Sequence, residues 1–185
     1  MVEMRVQGLA VDPQSKERVV ILTDLSETRF LPIWIGIYES EAILLALESI
    51  QVPRPTTHDL MKSVAASLGA RLEKVVIHTV DDTTATYYAK LVLLKEGASE
   101  PIEVDARPSD AIALALRFQA PIFVTEAILS QPDVATDKEK VNKDIAEFKK
   151  FLADVKPSDF ERYDRSHEGP PPGKKDQDEH GKGSS

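Results

Sequence analysis

Two closely matching stretches, Ser40-Glu-Ala-Ile-Leu-Leu-Ala-Leu47 and Ser109-Asp-Ala-Ile-Ala-Leu-Ala-Leu116, set the architecture of this chain. They lie 69 residues apart, and a gapless alignment at this spacing places residues 3–48 on residues 72–117. Fourteen of the 46 aligned positions are identical, whereas chance matching at ordinary residue frequencies gives roughly three. Because only two copies are present, this self-similarity predicts a duplicated unit rather than a solenoid.

Each copy has the pattern of three strands followed by a helix. Apolar, β-branched runs bounded by turn residues predict strands at 3–11, 19–23, 30–35, 72–80, 84–94 and 101–105. Nearly all-apolar segments predict buried helices at about 40–50 and 109–119, with Ser40, Glu41, Ser109 and Asp110 in their first turns. The fold class is therefore α+β, with two internally duplicated β3α units, about 3–50 and 72–119, forming one compact domain over 1–132.

An insertion found in the first copy alone carries its own helix signals. Pro53 and Pro55 favour an extended entry, and a helix is predicted over about 57–68. Thr56 or Thr57 is its N-cap, Asp59 completes a capping box, and Gly69 ends it. After the second copy, a short strand is predicted at 121–124.

The C-terminal quarter of the chain differs from the rest in composition. Apolar residues at steps of three and four predict an amphipathic helix within a helical extension over 133–163: Val141, Ile145, Phe148, Leu152 and Val155. We expect this helix to pack on the domain, with a partner protein as the alternative. Residues 164–185 have no apolar anchor and are predicted to form a disordered tail.

Composition excludes several functional classes. The chain of 185 residues has no cysteine, which excludes disulfides, thiolate metal sites and cysteine nucleophiles. A net charge of −8 disfavours loose binding to phosphate backbones. No phosphate-binding loop, dinucleotide fingerprint or zinc spacing of histidines occurs, so we expect no nucleotide cofactor. Without a signal peptide or a long apolar run, the chain is predicted to be cytoplasmic, with no membrane partner.

The repeat also separates candidate functional residues from structural ones. Features present in both copies, such as Glu41 and Asp110, are expected to serve the fold of the unit. Two clusters that occur in one copy alone are candidates for function. The first contains Arg54, Thr56, Thr57, His58 and Asp59, and the second contains Asp105 and Arg107.

Each residue type in these clusters suits one step of phosphodiester hydrolysis. Asp105 at a strand–helix junction, with Asp110 or Asp59, is a candidate ligand set for Mg²⁺ or Mn²⁺ that activates water. Arg54, Arg107 and Thr57 are candidate substrate-binding residues, since an arginine fork binds two phosphate oxygens. The candidate catalytic residues are Asp105, His58 and Asp59, with His58 as a general base.

A structural interpretation stands beside each of these roles. Asp105 and Arg107 are then an ion pair, or Asp105 caps the following helix, and Asp59 is only the acid of the capping box. His58 is then a surface residue. His78, which has apolar neighbours in a strand, is predicted to be structural, and Trp34 is predicted to lie in the core or at an interface rather than to stack on bases.

Three stretches resemble the bifunctional nuclease (BFN) domain family. They are Phe30-Leu-Pro-Ile-Trp-Ile-Gly36 followed by Glu41-Ala42, Arg54-Pro-Thr-Thr-His-Asp-Leu60, and Val104-Asp-Ala-Arg-Pro-Ser-Asp-Ala-Ile-Ala-Leu-Ala-Leu-Arg117. The similarity covers roughly residues 1–130, and residues 141–160 resemble an extension carried by many bacterial members. The resemblance implies an internally duplicated α+β domain and nuclease activity, which plant members show on RNA and DNA. It supplies no catalytic residues.

Two functions are therefore expected from the sequence. The first is a nuclease that hydrolyses RNA, DNA or both with metal assistance, which requires the candidate side chains to converge in one solvent-open cleft. Burial of the carboxylates in separate helix caps argues against it. The alternative is a non-catalytic, homo-oligomeric binding or regulatory module that uses the Trp34 edge or the C-terminal helix as its interface.

Overall fold

A computed structural model describes residues 1–12, 15–81, 83–132 and 134–152. Its seven strands are β1 (Val2–Val11), β2 (Arg18–Asp24), β3 (Phe30–Ile35), β4 (Ala70–Asp81), β5 (Thr86–Lys95), β6 (Ile102–Ala106) and β7 (Ile122–Val124). The helices in this part of the chain are α1 (Ile37–Leu47), α2 (Thr57–Ser67), α3 (Pro108–Phe118), α4 (Glu126–Leu129) and α5 (Lys138–Leu152).

All seven strands form one curled sheet in the order β3-β2-β1-β7-β4-β5-β6. Neighbouring strands are antiparallel, except that β7 runs parallel to β4. The strand predictions are confirmed, with observed ends within two residues of those expected. The chain is therefore a mixed α+β protein, and β1–β3 with α1 has the same element order as β4–β6 with α3. The duplication itself stays a prediction.

The helices α1 and α3 cover one face of the sheet and form the main core with it. The helix α3 is nearly fully buried, and its Ile112 and Ala113 are inaccessible to solvent beside Val75 and Ile77 of β4. At about 25 cal/mol per Å² of apolar surface removed from water, such burial is the main force that holds the helix on the sheet.

The start of α1 differs from the prediction. This helix begins at Ile37 after the N-cap Gly36, three residues before the predicted start at Ser40. Ser40 and Glu41 therefore lie beyond the first turn, and Ser40 Oγ donates to the carbonyl of Ile37 instead of capping. Glu39 takes the first-turn position, where a carboxylate favours the positive end of the helix dipole. The sequence pattern misses this extra turn because Ile37 and Tyr38 are exposed and break the apolar face.

The helix α5 lies against the opposite face of the sheet. Its side chains Val141 and Ile145 pack with Val19 and Ile21 of β2 in a second apolar cluster. Gly8 permits this close packing, because a Cβ added there would lie 2.9 Å from Ile145 Cγ2. Val155 and the predicted tail lie outside the described residues. None of the helices in the described part combines the length and the apolar character that crossing a membrane requires.

Candidate functional site

The first turns of α1, α2 and α3 meet on the helix side of the sheet. Each contributes one polar side chain to a connected network: Glu39 from α1, His58 from α2 and Asp110 from α3. Arg107, the N-cap residue of α3, joins them. We call these four residues the outer network. Three separate parts of the sequence thus supply one contiguous polar surface.

Arg107 is the centre of the outer network. Its Nε donates to Asp110 Oδ2 at 2.7 Å and its Nη2 to Asp110 Oδ1 at 3.2 Å, which is a two-point contact. Its Nη1 donates to Glu39 Oε1 at 2.9 Å. A guanidinium has five N–H groups, so two remain for a ligand. The Arg107 side chain is 65% exposed, which leaves those groups accessible.

His58 is held in one orientation by Asp110. Its Nε2 lies 3.1 Å from Asp110 Oδ1, and its side chain is only 12% exposed. Burial raises the pKa of the Asp110 carboxyl, but hydrogen bonds from Arg107 and His58 outweigh burial and leave that pKa below its ordinary value. Asp110 is therefore ionised at neutral pH and only accepts hydrogen bonds. It follows that Nε2 carries the proton, and that Nδ1 carries the lone pair of the neutral ring.

A second polar cluster lies beside the outer network and has a different character. Arg117 of α3 is 7% exposed, and its Nε donates to Asp59 Oδ1 at 2.6 Å. Its Nη1 donates to the carbonyl oxygens of Ala42 in α1 and Ala113 in α3, at 2.9 and 3.0 Å. This single side chain therefore joins all three helices. We call Arg117 and Asp59 the inner pair.

Asp59 has a structural role in the start of α2. Its Oδ2 accepts hydrogen bonds from Thr56 N at 2.9 Å and Thr56 Oγ1 at 2.7 Å, and the capping box is formed as predicted. Burial raises the pKa of the Asp59 carboxyl, but the Thr56 and Arg117 hydrogen bonds outweigh it and leave the pKa below its ordinary value. Both carboxylate oxygens are used, so Asp59 fixes the helix that presents His58.

Within the described ranges, the remaining candidate residues form no hydrogen bond or ion pair with the outer network. Asp105 is exposed on the edge strand β6, opposite Lys90 of β5, and neither caps α3 nor pairs with Arg107. Arg54 is exposed in the loop before α2, and Thr57 is the exposed first residue of that helix. The structure thus brings His58, Arg107 and Asp110 together, and it places Asp59 beside them in the inner pair.

The donor set does not match the predicted metal site. Within the described ranges, no group of three or more His, Asp or Glu side chains is arranged to hold a metal ion. Both Asp110 oxygens already accept hydrogen bonds, from His58 and Arg107. The described residues therefore form no cage of three or more protein ligands, and a Mg²⁺ ion bound at Asp105 or Asp110 would take most of its octahedral ligands from water and phosphate oxygens.

Sequence reasoning missed two residues of the site. Glu39 was missed because the predicted helix began after it, and Arg117 was named only as the last residue of the third stretch that resembles the family. The repeat alignment also equated Glu41 with Asp110, yet their environments differ. Burial raises the pKa of the Glu41 carboxyl, whereas at Asp110 the hydrogen bonds from Arg107 and His58 outweigh burial and lower the pKa. The available signal for Glu39 was its acidic type, because a carboxylate at the third position of a helix favours the positive end of the helix dipole.

Comparisons with known proteins agree on one family. The bifunctional nuclease domain matches residues 20–137. The uncharacterized protein MT1877 of Mycobacterium tuberculosis is 39% identical over 168 residues, which is 86% of this chain and 98% of that protein. Bifunctional nuclease 1 of Oryza sativa subsp. japonica is 33% identical over 119 residues, 63% of this chain and 35% of the rice protein. Bifunctional nuclease 1 of Arabidopsis thaliana is 33% identical over 97 residues, 52% of this chain and 29% of the plant protein.

Proposed function

Because the chain belongs to the bifunctional nuclease domain family, we propose that it is a nuclease that hydrolyses phosphodiester bonds in RNA, DNA or both at the outer network. The observation that carries the proposal is the contact between His58 and Asp110, with Arg107 bound to the same carboxylate. Through Asp110, this contact joins His58 of the inserted helix, the candidate base, to Arg107 of the second repeat, the candidate phosphate-binding residue. The plant relatives carry the name nuclease but are matched over about a third of their length.

His58 is the general base of the proposed reaction. Asp110 fixes the ring so that Nδ1 is the atom that accepts a proton from the attacking hydroxyl group or water. The same carboxylate stabilises the imidazolium that forms, because it lies 3.1 Å from Nε2. A base oriented in this way contributes about 10²- to 10⁴-fold to a rate.

Arg107 is the proposed phosphate-binding residue. Two of its N–H groups are not used by Asp110 or Glu39, and on a side chain that is 65% exposed they are suited to donate to non-bridging phosphate oxygens. With neutral His58, the outer network carries one positive charge and two negative charges. Further cations must therefore assist, and the exposed Arg54 is the candidate that precedes α2. Contacts between these cations and phosphate groups release counterions, so binding is expected to weaken as the salt concentration rises.

Metal assistance by Mg²⁺ or Mn²⁺ stays a prediction. Since the outer network does not provide an oxygen cage, we assign proton transfer and phosphate binding to the side chains themselves and derive no step through a metal. The assay below includes metal and chelator arms, so that dependence on a divalent ion is measured directly.

The proposal is tested with purified full-length protein and quenched fluorescent RNA and DNA oligonucleotides. Cleavage is compared in Mg²⁺, Mn²⁺ and EDTA for the wild type, Arg107→Ala and Arg71→Ala. Arg71 is the matched control, because it is 70% exposed and pairs with Glu73 on β4 rather than with a residue of the outer network. We expect Arg107→Ala to lose at least tenfold in kcat/KM and Arg71→Ala to retain the wild-type value.

Two results would contradict the proposal. Equal cleavage by all three preparations assigns the activity to a contaminating nuclease. No cleavage of RNA or DNA under any metal condition removes the nuclease function from this chain.

An exposed surface of α2 favours the non-catalytic alternative as a second candidate. Leu60, Met61, Val64 and Leu68 are between 45% and 67% exposed, whereas Asp59 and Lys62 bond to Arg117. These four side chains are exposed apolar surface on a helix whose exposed Lys62 bonds to the carbonyl of Arg117. A second copy of this chain is the proposed occupant, because a two-fold axis places the same apolar side chains of both copies against each other.

Light scattering of the wild type and of Leu60→Asp distinguishes a monomer from a dimer that assembles through α2. A wild-type dimer that Leu60→Asp converts to a monomer supports self-association through α2. A monomeric wild type would show that α2 is not an interface between copies.

We also propose that the two β3α units arose by internal duplication and that the chain is located in the cytoplasm.

A further inference from the structure

A cavity lined by Trp34 and the β4–β5 hairpin is separate in its lining residues from the outer network. Its volume is about 390 Å³, and it is open to solvent. Trp34 and Tyr87 form aromatic walls, and the remaining lining residues are Val80, Ala85, Ser130, Gln131 and Pro132. Of the described residues that line it, none is charged. The cavity is therefore suited to a neutral, flat group rather than to a phosphate.

Trp34 was predicted to lie in the core or at an interface, and the structure shows that the core position is wrong. Its side chain is 47% exposed at the end of the edge strand β3. Tyr87 is half-buried and packs against the main core, so its ring is held in place. An exposed indole beside a fixed phenol ring is costly to leave in water and is favourable for a stacked aromatic ligand.

The strand connections link this cavity to the outer network. Trp34 lies two residues before the α1 N-cap Gly36 and five residues before Glu39, a span of at most roughly 17 Å. Tyr87 lies two residues from Ala89, which pairs with Ala106, the residue directly before Arg107. Each wall of the cavity is thus close in the chain or in the sheet to a residue of the outer network.

We propose that the Trp34–Tyr87 cavity binds an unpaired nucleobase of a single-stranded nucleic acid whose backbone lies at Arg107. This inference rests on the proposed function, and it specifies single-stranded chains as the substrate class. Bases in a duplex are stacked and paired, so they do not present a face to Trp34. Stacking on an aromatic side chain tolerates all four bases, because each has a π-face.

The test uses the fluorescence of Trp34, which is the single tryptophan of the chain. The full-length protein is titrated with a short oligothymidylate that has uncleavable phosphorothioate linkages. The comparison ligands are an abasic chain of the same length and a duplex. We expect saturable quenching with the oligothymidylate and little change with the abasic chain or the duplex. Equal responses to the abasic and base-containing chains, or no response to either, would overturn the inference.

Variants separate this inference from the proposed function. Trp34→Leu should weaken binding of a single strand, measured by fluorescence anisotropy of a labelled oligonucleotide, by roughly 5- to 150-fold. Trp34→Phe should recover most of the loss. Tyr88→Leu is the matched control, since Tyr88 is 43% exposed on the same hairpin but does not line the cavity. Unchanged binding by Trp34→Leu would overturn the inference even if the wild type cleaves oligonucleotides. Base-dependent quenching without any cleavage would support the cavity and contradict only the nuclease.

Discussion

The inner pair and the outer network contain the same kind of ion pair in two different environments. Arg117 is 7% exposed and bonds to three helices, whereas Arg107 is 65% exposed and has two N–H groups that neither Asp110 nor Glu39 uses. Both arginines bind a carboxylate from the first turn of a helix. Burial therefore decides the role: the inner pair holds the helices together, and the outer network remains available for a ligand.

The His58→Asn variant should show the largest effect. Without the imidazole, the outer network has no base for proton transfer, and the cleavage rate should fall about 10²- to 10⁴-fold. The unfolding midpoint should change little, because the inner pair is intact. Single-turnover cleavage and thermal denaturation, measured on the same preparation, check both statements. A rate within threefold of the wild type would remove His58 from the chemistry.

The Arg117→Met variant should show the largest loss of stability. It leaves Asp59 without its cation and two backbone carbonyls without their donor. Breaking a buried pair costs about 3–5 kcal/mol, and the partial exposure of Asp59 places this case near 3 kcal/mol. The midpoint should therefore fall by roughly 6–12 °C. Arg107→Met is the control and should cost less than about 1 kcal/mol. Equal losses of unfolding free energy in Arg117→Met and Arg107→Met would contradict the different roles assigned to the inner pair and the outer network.

The Arg107→Lys variant tests the geometry of the outer network apart from its charge. A lysine keeps the charge but loses the planar fork that contacts both Asp110 and Glu39. We expect KM for an oligonucleotide to rise about tenfold, with kcat reduced less and stability within about 0.5 kcal/mol. Steady-state kinetics and urea denaturation provide the readouts. Wild-type kinetics in this variant would show that charge alone suffices.

The Asp59→Asn variant should change the pH dependence of stability, and this is the smallest effect. The pKa of Asp59 is below its ordinary value in the folded state. Ionised Asp59 therefore stabilises the fold above the unfolded-state pKa of about 4, and this contribution is lost as pH falls through the lower folded-state pKa. The difference in unfolding free energy between wild type and Asp59→Asn should be largest near pH 7 and shrink below pH 4. A difference that does not vary with pH would contradict this linkage.

Much of the fold follows from local sequence patterns. Alternating apolar runs located all seven strands, and Thr56 with Asp59 located the capping box. The start of α1 was placed too late, because its first turn is exposed and is set by Gly36 and Glu39 rather than by an apolar face. Sequence patterns within one helix or strand therefore predict that element, but they do not predict a turn that is fixed by contacts between elements.

The candidate site was only partly accessible from the sequence. The repeat comparison singled out His58 and Arg107, which lie 49 positions apart and share Asp110 in the structure. Their contact depends on how α2 crosses α3, which no spacing in the sequence reveals. The alignment also treated Glu41 and Asp110 as equivalent, although a two-residue shift between the starts of α1 and α3 gives them different environments. Placement of a side chain relative to a helix start therefore mattered more than its aligned position.

Catalysis by the outer network is tested most directly by the single-turnover cleavage rate of Asp110→Asn relative to the wild type. An asparagine amide donates to His58 Nε2, which moves the ring proton to Nδ1 and removes the base. We expect a rate at least about 100-fold lower, with an unfolding midpoint within a few degrees of the wild type. A rate equal to that of the wild type in this folded variant would contradict the assignment of catalysis to the outer network.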